Sequence, residues 1–163
     1  MQSNNSKHVY VLTREYITYD KKEAGSYIWN AKLGKYCDWV GFGLSDLGQL
    51  QQNQYNFSPL TKRNGFNNGT FGVSSNGYTW NSNNEKENNT LVLNPARDLG
   101  TLYSFKYTPS TKLLEYVITS EAGKKQRGVL HDVCPTKGNA LYPCIILIRV
   151  QSPVVLSPIK HTA

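Results

Sequence analysis

Cysteine is scarce in this chain. Its three residues, Cys37, Cys134 and Cys144, are odd in number and include no closely spaced pair. That pattern excludes a disulfide framework as the source of stability. Charge is also thin, at 18% of residues, and the missing polarity comes from Asn, Ser, Thr and Gln, as in NSNNEKENN at 81–89. Asn suits turns better than helix or strand interiors. No run approaches the roughly 20 apolar residues needed to cross a bilayer. Residues 1–10, MQSNNSKHVY, lack the apolar stretch of a signal peptide. The expectation is therefore an intracellular, cytoplasmic protein with no membrane insertion. On that footing the Asn-x-Ser/Thr sequons at Asn4, Asn56, Asn68 and Asn88 are by-products of the Asn content.

A length of 163 residues, 39% of them hydrophobic, suffices for one domain with a real core. The formal net charge is +7, but the cations are scattered along the chain. Their densest run, Lys124, Lys125 and Arg127, lies in a Gly-flanked stretch and reads as a solvated turn. Nucleic acid is thus not expected as a partner, although sequence is silent on a patch that forms only in three dimensions.

The apolar pattern has period two almost throughout, which predicts strands. HVYVLT alternates Val9 and Val11 with Tyr10 and Leu12, and SYIWNAKL puts Tyr27, Trp29, Ala31 and Leu33 on one face. WVGFGL puts Val40, Phe42 and Leu44 on one face, with Gly41 and Gly43 on the other. TLYSFKY sets Tyr103, Phe105 and Tyr107 against Leu102, Ser104 and Lys106; LLEYVIT and CIILIRV follow. Turns are expected at Gly34, at Asn76-Gly77 and at TPSTK (108–112), where Pro109 presets φ. SDLGQLQQ predicts one short helical turn capped by Ser45 or Asp46. Short strands separated by turns imply an all-β sandwich or barrel.

The catalytic constellations are weak. Gly41-x-Gly43-x4-Gly48 is no phosphate loop, because the strand runs on through the glycines and no Gly-Lys-Ser/Thr follows. The glycines instead predict a close approach of another backbone or a large ring. A sugar hydrolase needs two carboxylates on adjacent sites. Glu85 and Glu87 fall in the Asn-rich loop, and Glu115 and Glu121 form no strand-borne array. His8 and His161 are near the termini, so nucleophilic catalysis would rest on His131 and Cys134 in VLHDVCP. With Cys144 these give H-x2-C-x9-C, which lacks the close Cys pair of a zinc site. No enzyme activity, metal or cofactor is expected. Large rings at loop edges remain: Tyr78 and Trp80 after the Asn-Gly turn, and Tyr55 and Phe57 in QQNQYNFSPL.

Four segments in order resemble the SPRY domain family. GSYIWNAKL (25–33) is similar to its Gly-x-aromatic-aromatic-Glu-Val strand, and DWVGFGLSD (38–46) to the next strand. GTFGVSSNGYTW (69–80) resembles the segment with a Gly-aromatic pair, and ALYPCIILI (140–148) the closing Leu-Tyr-Pro strand. The chain departs from the family pattern where Asn30 replaces an acidic residue after Trp29, in FKYTPSTKL, where an Asp is often found, and in LLEYVITSEAGKKQRG, where an aromatic and Asn-Gly are usual. The resemblance covers 8–151, with 1–7 as a tail and 152–163 as an extension whose end is loose. It implies a bent antiparallel β-sandwich of two sheets, of the concanavalin A-like jelly-roll type. It also implies a non-catalytic interaction module that binds a protein or peptide through loops at one edge, as the substrate-recognition part of a ubiquitin ligase or another multidomain assembly. The chain has no RING-type Cys/His array of its own. Recognition is expected from loops 45–60 and 74–90, through Ser45, Asp46, Tyr55, Asn76, Tyr78, Trp80 and Asn81. The alternative is a carbohydrate-binding, lectin-like sandwich.

Overall fold

The computed structural model describes residues 9–33, 39–54, 69–75, 77–81, 84–86, 100–136, 138–148 and 154–162. Among these residues the chain forms two antiparallel sheets. The strands are β1 (Val9–Leu12), β2 (Ile17–Thr18), β3 (Ser26–Leu33), β4 (Trp39–Asp46), β5 (Thr70–Ser74), β6 (Thr79–Asn81) and β7 (Asn84–Lys86). They continue with β8 (Leu102–Thr108), β9 (Leu113–Thr119), β10 (Lys125–Leu130), β11 (Ala140–Ile148), β12 (Val154–Leu156) and β13 (Lys160–Thr162). The first sheet runs β1-β11-β4-β5-β6-β7, with β2 also on β11; the second runs β10-β9-β8-β3-β12, with β13 also on β3. One helix, α1 (Leu47–Gln52), follows β4.

Period-two alternation explains the core between the sheets. Val40, Phe42 and Leu44 of β4 and Ile145 and Leu147 of β11 face Trp29 and Ala31 of β3 and Tyr103, Phe105 and Tyr107 of β8. Phe42 meets Tyr103 at 4.0 Å between ring centroids, and Trp29 stacks on Phe105 at 5.3 Å. Each ring of this size removes a large apolar area from water. The Tyr107 hydroxyl donates to the Val133 carbonyl at 2.6 Å, which holds the 131–136 segment against the end of the core.

Two expectations are corrected here. The end of the 152–163 extension is not loose: among its described residues, β12 and β13 both pair with β3. The side chain of His161 holds the last strand in place: its Nε2 lies 3.0 Å from Glu23 Oε1, and its ring stacks on Tyr27 at 4.6 Å. The run Lys124, Lys125 and Arg127 is only partly a turn, since Lys125 begins strand β10. The hairpin at 108–112 forms as expected, through a 3-10 turn at Pro109–Thr111 and a left-handed Lys112 at φ 55°.

Buried acids set an alkaline limit on the fold. Burial pushes the Cys144 thiol up to about 12 from 9.0, against smaller opposing pulls from Ser45 and the Gly43 backbone. Burial, then the hydrogen bond to Glu23, pushes Tyr27 up to about 12 from 10.0. Burial also raises Tyr10, Tyr107 and Tyr116. A group whose folded pKa is raised keeps its proton in the native state and loses it first on unfolding. Its contribution is complete below the unfolded pKa and disappears as pH rises through the folded one. The urea midpoint should therefore hold up to about pH 9 and fall between 9 and 12. A midpoint that is flat or rising up to pH 11.5 would show that these groups are not buried as described.

Candidate functional site

The site is built on the outer face of the first sheet, where the glycines of β4 and β5 lie. Gly43 and Gly72 are direct partners across β4 and β5. A Cβ on Gly43 would run into the Phe71 carbonyl and come within 2.7 Å of the Gly72 Cα; one on Gly41 would lie 2.8 Å from the Trp80 ring and 2.9 Å from the Trp39 ring. The glycines thus allow the close backbone and ring approach that their spacing predicts. Trp80 settles over this track beside Cys144 and Ile146, with Tyr10, Leu12 and Trp39 packed around it. Its indole Nε1–H donates to Thr70 Oγ1 at 2.6 Å.

Trp80 is only 2% exposed, so the expectation of an exposed ring at a loop edge is corrected. The indole is a packing element of the sheet. Ser45 is also buried. Its hydroxyl has no conventional partner among the described residues and acts only as a weak one for the Cys144 thiol. Asp46 is 1% exposed rather than a surface hydrogen-bonding group. Its Oδ1 caps α1 through the Gln49 N–H at 3.4 Å, and its Oδ2 accepts from the Thr136 N–H at 2.7 Å and the Thr136 hydroxyl at 3.1 Å. Its own N–H donates to the Gly69 carbonyl at 2.8 Å. The carboxylate therefore joins β4, α1 and the 131–136 segment, and the backbone N–H of the same residue ties in Gly69, just before β5.

Asn81 is half-buried, and its Nδ2 donates to the His131 carbonyl. That bond ties the end of β6 to the same segment. Tyr78 is half-buried as well, in the turn after β5, where its carbonyl accepts from the Ser74 N–H at 2.8 Å. Tyr55, Asn76 and Phe57 lie outside the described residues, as do Cys37, His8 and Glu87. The register then separates the expected residues. Ser45 pairs with Thr70 and Gly41 with Ser74, so Asp46 and Asn81 lie toward one end of the sandwich and Tyr78 at the other. Four strand residues place these ends roughly 14 Å apart.

The end that holds Asp46 and Asn81 also presents His131 and Asp132, both exposed, with Asp132 in the left-handed region at φ 57°. In sequence, VLHDVCP reads as a Cys/His pair or, with Cys144, as an incomplete zinc set, and not as part of a rim. The usable signal was Asp at a tight connection, since Asp tolerates that conformation. The former catalytic candidates do not converge. Cys144 is in the outer-face cluster. Glu115 pairs with Lys106 at 3.5 Å on the second sheet, and Glu121 is exposed in the β9–β10 turn. Among the described residues no group of three His, Cys, Asp or Glu could hold a metal ion. Among them, too, no helix is long and apolar enough to cross a membrane.

No family model and no curated protein sequence matches the chain. Solved structures do. The SPRY domain of human HERC1 aligns at 16% identity over 95% of this chain and 82% of that one, with a TM-score of 0.57. Lectin I-B4 of Griffonia simplicifolia aligns at 13% identity over 95% and 80%, with a TM-score of 0.54. A seed lectin of Lotus tetragonolobus aligns at 12% identity over 98% and 84%, with a TM-score of 0.50. The fold is the two-sheet sandwich shared by SPRY domains and concanavalin A-like lectins, as the segment order implied.

Proposed function

We propose that this domain is a divergent, non-catalytic member of the SPRY group that binds a protein or peptide partner at one end of the sandwich. The recognition surface is the rim formed by His131, Asp132 and Asn81, with Ser45 and Asp46 beneath it. The observation that carries this reading is the buried Asp46 carboxylate. It holds three chain segments, β4, α1 and 131–136, in one arrangement and presents exposed polar groups on a rigid base. Binding to a preorganised rim loses less conformational freedom than binding to a loose one. Tyr78, at the opposite end, is a separate candidate contact. Tyr55 and Asn76 belong to the same expected loops. Substrate recognition for a ubiquitin ligase or another intracellular assembly would use this rim through a further chain or domain.

Affinity capture from native extract tests the reading with two variants. His131→Ala combined with Asp132→Asn removes rim chemistry, and Asn tolerates the left-handed backbone at 132. Tyr78→Ala alters the other end. A captured protein should bind the first variant at least about 30-fold more weakly and the second nearly unchanged. Capture that depends on Tyr78 alone, or on neither, overturns the assignment. Carbohydrate recognition is the second reading, favoured by the lectin-like fold and the exposed Asp132 carboxylate. A glycan array with competable binding that is lost in the rim variant would establish it instead.

A further inference from the structure

Five of the 18 lysines and arginines, distant in sequence, gather on the outer face of the second sheet. Strand register lays them out in rows. One row crosses the sheet as Lys125, Thr119, Leu102, Lys32 and Val155. The next reads Arg127, Val117, Ser104 and Asn30. A third reads Val129, Glu115, Lys106, Ile28 and Lys160. Directly opposed residues on paired strands point to the same side, and neighbouring rows are about 7 Å apart. On β8 and β9 these residues alternate with the buried core positions, and the members on β10, β3, β12 and β13 share their side by direct pairing, so the rows face away from the partner sheet.

Among the described residues this face holds five cations and one carboxylate. Lys32, Lys106, Lys125, Arg127 and Lys160 are exposed, and Glu115 neutralises only Lys106. Among the described residues the other four have no carboxylate partner. Glu121, next to this face in the β9–β10 turn, has its carboxyl against Gly100. Between the cations lie Ile28, Leu102 and Val117, half-buried, and Val129 and Val155, 38% and 58% exposed. The sandwich is thus asymmetric: glycines and indoles cover the outside of one sheet, and cations interleaved with aliphatics cover the outside of the other.

We propose that this face is a second interaction surface, separate from the rim, and that its partner is an acidic protein segment carrying aliphatic residues between its carboxylates. Charge complementarity sets the sign of the partner. The interleaved aliphatics choose its class. A phosphate backbone would cover Leu102, Val117 and Val129 with charge and leave their burial unrewarded. Single-stranded nucleic acid is held by stacking on aromatic rings, and none of the residues in these rows is aromatic. An anionic membrane would attract a net four charges, yet a flat sheet face has no protruding apolar element to insert. An extended segment alternating carboxylate and aliphatic side chains matches both the charges and the row spacing.

The test uses a labelled peptide that repeats Glu-Val-Asp-Leu, followed by fluorescence anisotropy at low and moderate salt. The Lys32→Glu, Arg127→Glu double variant reverses two cations on the face. The Lys21→Glu, Lys22→Glu variant makes the same change in net charge at exposed positions in the turn before β3. The face variant should weaken binding at least about tenfold and the control less than about twofold. A second peptide, with Ser in place of Val and Leu, should bind several-fold more weakly than the first. Equal loss in both variants, or equal affinity for both peptides, overturns the proposal. So does tighter, face-dependent binding of an RNA duplex or of phosphatidylserine vesicles than of the peptide. Because the rim is left intact, failure here leaves the rim reading standing, and the reverse also holds.

Discussion

Gly43→Ala is expected to destabilise the fold by at least about 3 kcal/mol, measured as a shift in urea unfolding. The added methyl meets the Phe71 carbonyl and the Gly72 Cα, which are main-chain atoms of the paired strand and not the end of a mobile side chain. Relief requires β4 and β5 to separate, and their hydrogen bonds go with them. The usual gain from replacing glycine, about 0.4–1 kcal/mol from a less free unfolded chain, is too small to offset this. Gly41→Ala should cost less, because its methyl meets the far ends of the Trp39 and Trp80 rings, which can shift. The ranking is the sharper test. A Gly43→Ala loss below about 1 kcal/mol, or below that of Gly41→Ala, would show that the strands do not approach as described.

These glycines mark how far the sequence could be read. Period two alone places Val40, Phe42 and Leu44 inward and Gly41 and Gly43 outward, and the structure agrees. The same holds for β8 and β9, where the aromatic and aliphatic faces separate as the alternation requires. The helical turn after Ser45 was legible because a capping residue and its target are three residues apart.

What was not legible depends on partners far away in the chain. Asp46 reads as a cap, but its second oxygen is occupied by Thr136, ninety residues later. Nothing local to either residue announces that bond. The division of the expected site between two ends follows from the length of β5, which carries the chain from Thr70 beside Ser45 to Ser74 beside Gly41. A list of loop residues contains no such distance. The basic face is a similar case. Lys32, Lys106, Lys125, Arg127 and Lys160 come from four strands and gather only through register.

Trp80 is where local and tertiary signals conflict most, and it yields the second large prediction. A ring after an Asn-Gly turn and before a polar stretch reads as a surface anchor. The glycines at 41 and 72 make a bed for it on the sheet, and it is 2% exposed. Trp80→Ala should therefore cost about 3–5 kcal/mol, the range for emptying a large buried aromatic site. Trp80→Phe keeps much of the packing but loses the hydrogen bond to Thr70, and should cost less, about 1–2 kcal/mol beyond the lost area. An exposed anchor behaves in the opposite way: its truncation leaves unfolding unchanged and weakens only partner binding. If urea unfolding of Trp80→Ala matched the wild type, the ring would not be seated over Gly41 and Gly72, and the surface reading would return. If the fold is destabilised as expected, loss of a partner in this variant says nothing about contact, and binding at the rim has to be judged from His131 and Asp132.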